Sequence, residues 1–335
     1  MKVYIITEGD SKVGLGHITR CTSLYQAFEE KNINPCFIIN GCESIRDLLY
    51  KKNFIIFNWI RDKDDLFELI RNADVVIIDS YLIDDLTIQK IAKIVKLPVF
   101  IDDTQRVNYP RGFVINGSVH AKDLNYPSSP ELHYLLGSNY CMLKRIFWNR
   151  PKRHLNYNIK SIMITFGGND LRNITPKIIK NLNTEYPNIK KNVIIGKYFQ
   201  NVGEIKKACK KNCNLIYSPD AEGMKEIMLN SDIAITAGGQ TTYELVSMGV
   251  PAISVAVVNN QIKSVVKLNE LNINYYAGWW KDKNLYDKII NFIQELNDVD
   301  LRKKMVEIGF KLIKPDGSRK IVENILQYLI MNNFK

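Results

Sequence analysis

The sequence predicts an α/β protein with two parallel sheets, one in each half of the chain, and three observations lead to this fold class. Near-continuous apolar runs alternate with amphipathic segments, which is typical of parallel strands covered by helices on both faces. The length of 335 residues is long for a single core and suits two domains of about 150 residues each. The alternation also stops at a polar, proline-broken stretch, residues 148–154, and restarts at Ser161.

These observations also predict domain boundaries. Residues 1–148 are expected to form an N-terminal domain, 149–158 a linker and 159–335 a C-terminal domain. The last helical pattern, from about residue 316 to 331, is long enough to pack back across the linker onto the N-terminal domain.

In the first half, the predicted strands are residues 3–6, 36–39, 54–57, 75–79 and 99–103, with helices between them. Residues 104–134 are expected to be irregular because Pro110, Pro127 and Pro130 interrupt them. In the second half, the predicted strands are residues 161–166, 193–195, 215–217, 232–237 and 250–255. Three helical segments are expected to close the chain.

Composition points to an ordinary soluble protein, with 46% hydrophobic and 24% charged residues. No apolar run approaches the roughly 18 residues of a membrane span, and the chain enters a strand at once, so no signal peptide is expected. A cytoplasmic protein with six reduced cysteines explains the scattered thiols best, and a zinc site is not expected.

The net charge of +11 is the unusual feature of the composition. The lysines are dispersed and do not alternate with aromatic residues, which argues against a nucleic-acid partner. We interpret most of this charge as solvated helix faces, with an anionic membrane surface as the lesser alternative. The oligomeric state is not indicated by the sequence.

A glycine-rich turn follows the first predicted strand. Gly14 and Gly16 allow backbone angles that a side chain would forbid, and His17 stands at the start of the next helix. The positive end of the helix dipole should keep the imidazole neutral, which is the form that a general base needs. The competing interpretation is a helix-start histidine bonded to its own turn.

Carboxylates cluster at the predicted strand ends, where parallel sheets bind their ligands. Glu8, Asp79, Asp102 and Asp103 all occupy such ends, and Tyr81 follows Asp79. We expect them to line a site together with His17. A single acidic residue at such a position is often only a helix cap, as predicted for Asp84.

Two further strand-to-helix turns occur in the second half. One contains Gly167 and Gly168, and the other contains Gly238 and Gly239, followed by Glu244 one turn inside the helix. The glycines would expose backbone amides to a diphosphate, and the glutamate could accept two ribose hydroxyls. A plain capped helix explains the second turn equally well. Neither a dinucleotide fingerprint nor a P-loop is present.

The ordered set of motifs resembles one family. The motifs are Gly14-x-Gly16-His17-x-x-Arg20, Ile78-Asp79-x-Tyr81, Asp102-Asp103, Gly137-x-x-Tyr140-x-x-x-x-Arg145, Gly167-Gly168-x-Asp170, and Ala237-Gly238-Gly239-x-Thr241-x-x-Glu244 followed by Asn260-Gln261. This set is similar to the UDP-2,4-diacetamido-2,4,6-trideoxy-β-L-altropyranose hydrolases of pseudaminic acid biosynthesis. These hydrolases are related to the lipid II N-acetylglucosaminyltransferase. The family pattern has an aspartate where this chain has Glu8, so either Glu8 or Asp10 is a candidate to orient His17.

The resemblance implies a GT-B-like fold, with two Rossmann-like domains whose parallel sheets face a central cleft. It implies hydrolysis of the UDP-sugar to UDP and free sugar by inverting attack of water, with no cofactor and no metal. The implied catalytic residues are His17, Asp79 and Tyr81. The implied substrate-binding residues are Gly14, Gly16, Arg20, Glu8, Asp102, Asp103, Tyr140 and Arg145. The implied UDP-binding residues are Gly167, Gly168, Asp170, Thr236, Ala237, Gly238, Gly239, Thr241, Thr242, Glu244, Asn260 and Gln261.

Two alternatives remain beside the hydrolase. The first is a GT-B glycosyltransferase that moves a UDP-amino sugar to a lipid or glycan acceptor. The second is a non-catalytic protein that binds a nucleotide sugar. The stereochemistry and acylation of the sugar are not encoded in motif spacing.

Overall fold

The computed structural model describes residues 1–10 and 14–332. The chain divides into two compact units. Unit 1 contains Met1–Arg145 and the chain from Asp316 onward, and unit 2 contains Ile146–Pro315. Each unit has its own parallel sheet.

Unit 1 is built on a seven-stranded sheet with the order β3-β2-β1-β4-β5-β6-β7. All of its strand pairs are parallel. The strands are β1 (Val3–Gly9), β2 (Cys36–Gly41), β3 (Asn53–Ile56), β4 (Val75–Asp79), β5 (Leu97–Ile101), β6 (Gly112–Asn116) and β7 (Leu132–Leu136). The order reverses between β1 and β4, and ligands of open parallel sheets bind beside such a reversal, at the carboxyl ends of the strands.

The helices of unit 1 are α1 (Gly16–Glu29), α2 (Lys63–Ile70), α3 (Asp85–Ile94) and α11 (Gly317–Asn332). Asp84 caps α3 by accepting a hydrogen bond from the Thr87 N–H at 2.8 Å, which confirms its predicted role. The helix predicted after β2 is instead a 3₁₀ helix, Glu43–Leu49.

Unit 2 is built on a six-stranded parallel sheet with the order β10-β9-β8-β11-β12-β13. The strands are β8 (Ser161–Thr165), β9 (Lys190–Ile195), β10 (Cys213–Tyr217), β11 (Ile233–Ala237), β12 (Ala252–Ala256) and β13 (Tyr275–Trp279). The helices are α4 (Thr175–Glu185), α5 (Val202–Ala208), α6 (Ala221–Leu229), α7 (Gln240–Ser247), α8 (Ile262–Glu270), α9 (Leu285–Leu296) and α10 (Val299–Leu312). Both units are therefore Rossmann-like, as predicted.

Three strands contradict the expected element order. The stretch expected to be irregular contains β6 and β7, and β13 lies among the segments expected to be only helical. Pro110 precedes β6, and Pro127 and Pro130 lie between β6 and β7. Because these prolines lie outside the two strands, they shape the connections and leave the hydrogen bonds between the strands intact.

The thiols also differ from expectation. Cys209 and Cys213 are joined in a disulfide, with Cα atoms 5.4 Å apart, whereas reduced cysteines were expected throughout. Helix α5 ends at Ala208, just before Cys209, and β10 begins at Cys213, so the disulfide spans the turn between them.

The last helix, α11, belongs to unit 1 and packs against α1. Ile321 and Ile325 of α11 are fully buried, and Arg319 forms an ion pair with Glu30 at 2.5 Å. In the part of the chain that the structure describes, no helix has the length and apolar content that crossing a membrane requires.

Candidate active site and nucleotide-binding loops

Of the two glycines predicted to shape the turn between β1 and α1, only Gly14 adopts a positive φ. Gly14 has φ +88°, and its N–H donates to the Asp10 carbonyl at 2.9 Å. A residue with a side chain would be strained at this φ. Gly16 has no such angle and begins α1, whose N-terminal N–H groups receive no side-chain cap.

Asp79, at the end of β4, is the centre of the polar cluster in unit 1. Its side chain is 0% exposed and accepts a hydrogen bond from His17 Nδ1 at 2.6 Å. Arg20 donates to both of its oxygens, from Nε at 2.6 Å and from Nη2 at 2.5 Å. An ionised carboxylate only accepts hydrogen bonds, so Nδ1 of His17 carries a proton and Nε2 is the acceptor nitrogen of the neutral ring.

Two further groups fix the surroundings of His17. The Tyr81 ring lies edge-on to the imidazole, with centroids 4.7 Å apart and planes at 87°. Its hydroxyl donates to Asp103, and its backbone N–H donates to Glu8 Oε1 at 2.8 Å. Glu8 is therefore a support for the backbone at Tyr81.

The protonation states follow from these contacts. Burial disfavours the imidazolium, but the charge of Asp79 and its hydrogen bond outweigh burial and raise the pKa of His17. Burial raises the pKa of Asp79, yet Arg20 and His17 lower it more, so that the net shift is downward. Burial also raises the pKa of Glu8. The net shift of the His17 pKa is therefore upward, opposite to the direction expected from the helix start alone.

The orienting carboxylate also differs from both candidates in the sequence. Asp79, rather than Glu8 or Asp10, contacts the His17 ring. Strand order explains the difference, because β4 pairs directly with β1 and Asp79 lies beside Thr7 in the register.

Asp102 lies at the same edge of the sheet but serves the local turn. Its Oδ1 accepts from the Thr104 and Gln105 N–H groups, each at 3.0 Å, and Oδ2 accepts from the Tyr126 hydroxyl at 3.0 Å. Both oxygens of Asp102 are therefore used within the protein.

Arg145 is not brought to this cluster. Its side chain donates to the Gln26 carbonyl at 2.6 Å, near the C-terminal end of α1. Nine helical residues separate Gln26 from His17, which at 1.5 Å per residue is roughly 14 Å. Tyr140 ends a 3₁₀ turn after β7, and its carbonyl lies against Gly117, which follows β6.

In unit 2, the loop after β8 contains Gly167 with φ +75°. A Cβ on Gly196 would lie 2.5 Å from the carbonyl oxygens of Gly167 and Gly168, so the end of β9 approaches this loop closely. Asp170 accepts from the Ile174 N–H at 3.2 Å and the Thr175 N–H at 3.0 Å, and thus caps the start of α4.

The loop between β11 and α7 is also tightly packed. A Cβ on Gly238 would lie 2.3 Å from Val265 Cγ1, so α8 touches the loop at that position. Gly239 is the N-cap of α7, which has no side-chain cap. The N–H groups of both glycines donate within the loop, from Gly238 to the Val255 carbonyl at 3.3 Å and from Gly239 to the Ala237 carbonyl at 2.8 Å, so the amides expected to face a diphosphate are not those of the two glycines.

Two threonines that were predicted to bind UDP instead form hydrogen bonds within the protein. Thr236 and Thr242 are buried, and both hydroxyls donate to the Ala237 carbonyl at 3.1 Å. Thr241 lies in the first turn of α7 and is partly exposed. Thr236 and Thr242 therefore support the turn from within.

The remaining predicted UDP-binding residues flank the same edge of the sheet. Gln261 accepts from the Val257 N–H at 2.9 Å, and its Nε2 would lie 3.8 Å from a Cβ on Gly239. Glu244 is 6% exposed inside α7, whereas Asn260 is exposed. The structure thus gathers Gly238, Gly239 and Gln261 at one point.

Sequence reasoning missed Arg172 and Trp280. The Arg172 guanidinium lies 4.7 Å from the Trp280 ring centroid, and its Nε donates to the Val257 carbonyl at 3.2 Å. Arg172 follows the Gly167–Gly168 loop within a few residues, and this position in the sequence could have indicated that it lies near the loop. Trp280 is distant in the sequence, so its contact with Arg172 could not be predicted from sequence position.

Comparisons with known proteins agree with this architecture. Residues 161–319 match the glycosyltransferase family 28 C-terminal domain. MurG of Acinetobacter baumannii superposes with a TM-score of 0.65 at 12% identity, over 98% of this chain and 100% of MurG. The predicted GT-B fold is therefore confirmed.

Two curated relatives match over most of this chain. An uncharacterised protein of Methanocaldococcus jannaschii is 30% identical over 76% of this chain and 55% of its own length. A Helicobacter pylori protein, named pseudaminic acid cytidylyltransferase and UDP-2,4-diacetamido-2,4,6-trideoxy-β-L-altropyranose hydrolase, is 26% identical over 82% of this chain and 48% of its own length. The chain thus spans about half the length of these relatives. Together the comparisons show a GT-B fold whose C-terminal half is similar to the C-terminal domain of family 28 glycosyltransferases.

Proposed function

We propose that the protein hydrolyses a UDP-linked diacetamido-trideoxy hexose to UDP and the free sugar, with inversion at the anomeric carbon. The observation that carries the proposal is the hydrogen bond of His17 Nδ1 to buried Asp79 at 2.6 Å. This bond fixes the tautomer in which Nε2 accepts a proton, which is the arrangement of a general base.

In the proposed reaction, His17 Nε2 removes a proton from water as the water oxygen attacks the anomeric carbon. The bond from that carbon to the diphosphate oxygen breaks, and UDP leaves with the electron pair. Asp79 stabilises the imidazolium that forms, and the proton later returns to solvent. UDP is a good leaving group once its charge is met by backbone amides.

Unit 2 supplies those amides in the proposal. The N–H groups at the start of α7, which no side chain caps, are suited to a diphosphate. The Gly167–Gly168 loop follows β8, which is the neighbour of β11 in the sheet. We propose that the predicted residues of these loops, from Gly167 to Gln261, bind UDP. Asp170, Thr236 and Thr242 then act by shaping the loops.

Of the two activities in the name of the Helicobacter pylori relative, the family match favours the hydrolase over the cytidylyltransferase. Both a UDP-sugar hydrolase and a glycosyltransferase break the anomeric carbon–oxygen bond, whereas a cytidylyltransferase reacts at phosphorus. A glycosyltransferase-type C-terminal half fits the first chemistry.

The test is the substitution His17→Asn. Asparagine retains a donor for Asp79 and removes the base, so turnover of a UDP-diacetamido sugar should fall by about 10²- to 10⁴-fold. UDP binding, measured by calorimetry, should be unchanged. His154→Asn is the matched control because His154 is exposed. Wild-type turnover in His17→Asn would contradict the proposed role of His17 as the general base.

Transfer to a lipid or glycan acceptor is the second candidate, favoured by the family 28 match. Hydrolysis predicts UDP release without an acceptor, and oxygen-18 from water in the sugar product. Product that appears only when an acceptor is added, with no oxygen-18 in the sugar, would establish the transferase. Tight UDP binding without any turnover would instead indicate a binding protein.

A further inference from the structure

Arg20 occupies an unusual position within the polar cluster of unit 1. Its side chain is 13% exposed and joins two carboxylates. Nε and Nη2 donate to Asp79, and Nη1 donates to both oxygens of Asp103 at 2.8 Å. Every nitrogen of the guanidinium therefore contacts a carboxylate.

We infer that Arg20 is a positioning residue, which couples the carboxylate that holds His17 to the carboxylate that holds Tyr81. The inference deepens the proposed function and rests on it, since it assigns the way in which the proposed base is oriented. It replaces the expectation that Arg20 binds substrate.

The geometry explains why an arginine stands here. Asp79 ends β4 and Asp103 follows β5, and these two strands are neighbours in the sheet. Two carboxylates on adjacent strands repel each other unless a cation lies between them. The planar fork of a guanidinium can bond both at once, whereas a lysine ammonium offers a single point of charge.

The two carboxylates restrain the imidazole in different directions. Asp79 holds Nδ1, which fixes the direction of the ring nitrogens. Asp103 holds the Tyr81 hydroxyl, and the Tyr81 ring then packs edge-on to the imidazole. Moving the guanidinium would loosen both restraints together.

The charges that face His17 allow a sharp test. Among the residues that the structure describes, the charges that act on His17 are Glu8 of β1, Asp79 of β4 and Arg20 of α1, and the neutral Tyr81 ring lies beside the imidazole. The Cys21 thiol of α1 donates to Asp79. Arg20 Nη2 lies 3.4 Å from His17 Nδ1. Removal of this cation should raise the pKa of His17, whereas neutralising Asp103 leaves the cation uncompensated and should lower it.

The experiment compares Arg20→Met, Arg20→Lys and Asp103→Asn in the full chain, with Arg61→Met as control. Arg61 is 78% exposed and pairs only with its neighbour Asp62 among the ion pairs of the described residues. The His17 pKa is measured by NMR titration of its ring nitrogens in the free protein. We expect it to rise in Arg20→Met, to fall in Asp103→Asn and to stay unchanged in the control.

Kinetics provide the second readout. A misplaced base should lower kcat of Arg20→Lys by about tenfold to a hundredfold, with KM within about threefold of wild type. A rise in KM with unchanged kcat would show that Arg20 binds substrate and would overturn the inference. Equal His17 pKa shifts in Arg20→Met and Asp103→Asn, or none, would overturn it too.

The titration does not need turnover. If the protein fails to hydrolyse any UDP-sugar, the proposed function falls, while opposite His17 pKa shifts still show that the Arg20 cation and the Asp103 carboxylate both act on the imidazole. If the Arg20 variants do not fold, Asp103→Asn still tests the inference. The Asp103 side chain is 24% exposed, so its substitution should disturb folding less.

Discussion

At the scale of single residues, the ionisation of His17 is decided by a buried partner. A helix start changes the energy of a charged group by about 0.3–1 kcal/mol. A hydrogen bond to a charged group contributes about 1.5–3 kcal/mol, and Asp79 is fully buried at 2.6 Å from the ring. The effect of the Asp79 carboxylate therefore exceeds that of the helix start, and the pKa of His17 is raised above that of free histidine.

Much of this cluster was readable from spacing. His17, Arg20 and Cys21 stand at i, i+3 and i+4 and so share a face of α1. The strand-end positions of Asp79 and Asp103 were also readable. The choice of Asp79 as partner depends on the pairing of β4 with β1, and a single sequence does not contain strand order.

The raised pKa of His17 gives a pH prediction. A base works unprotonated, so kcat/KM should fall on the acid side of a pKa above the free value of about 6.5. Asp79→Asn removes the carboxylate that raises this pKa, so the acid limb should move to lower pH while kcat drops. The measurement is kcat/KM against pH, with exposed Asp64→Asn as control. An acid limb that stays in place would refute the link between Asp79 and His17.

At the scale of elements, the glycines of the turns differ in what they provide. Gly14 and Gly167 adopt positive φ with open space around the Cβ position, whereas Gly238 is packed too closely for a side chain. Sequence reasoning found these turns because glycines mark them, and it found the strands that lead into them. It missed β6, β7 and β13, where short strands are separated by prolines or lie between long helices. Their pairing is a tertiary contact that local patterns do not report.

Gly238 provides the prediction at this scale. A Cβ there would lie 2.3 Å from Val265 Cγ1, so Gly238→Ala should destabilise the protein by about 1–3 kcal/mol through overpacking. UDP affinity should fall as the β11–α7 loop moves. The additional substitution Val265→Ala should restore part of the UDP affinity, which calorimetry can measure.

Gly203→Ala is the control for that experiment. A Cβ at Gly203 meets nothing within 4 Å, and the residue lies in α5. Alanine there should stabilise the chain by up to about 1 kcal/mol in thermal or urea unfolding. Unchanged UDP affinity in Gly238→Ala would remove this loop from the proposed site.

At the scale of the whole molecule, the chain passes from unit 1 to unit 2 and then returns. The return is made by α11, which packs against α1 although hundreds of residues separate them. The sequence indicates the length and amphipathic pattern of this helix. The sequence also indicates that the helix can reach the N-terminal domain, but α1 as its partner could not be predicted, because a helical stripe records only that some apolar surface covers it.

Two isoleucines of α11 test this arrangement. Ile325 is 0% exposed and Ile330 is 60% exposed, so Ile325→Ala should cost about 2–4 kcal/mol and Ile330→Ala less than about 0.5 kcal/mol. Hydrogen exchange should show that Ile325→Ala weakens protection in α1 and leaves residues 161–296 unaffected. Loss of protection confined to unit 2 would contradict the assignment of α11.

The return of α11 has a consequence for synthesis. A ribosome makes α1 early and then makes all of residues 146–315 before α11 emerges, which takes on the order of ten seconds or more. During that interval the part of α1 that α11 covers stays open, and at its end all strands and helices of unit 2 have been synthesised. Translation therefore favours completion of the second unit first, and the first unit closes only when the final helix leaves the exit tunnel.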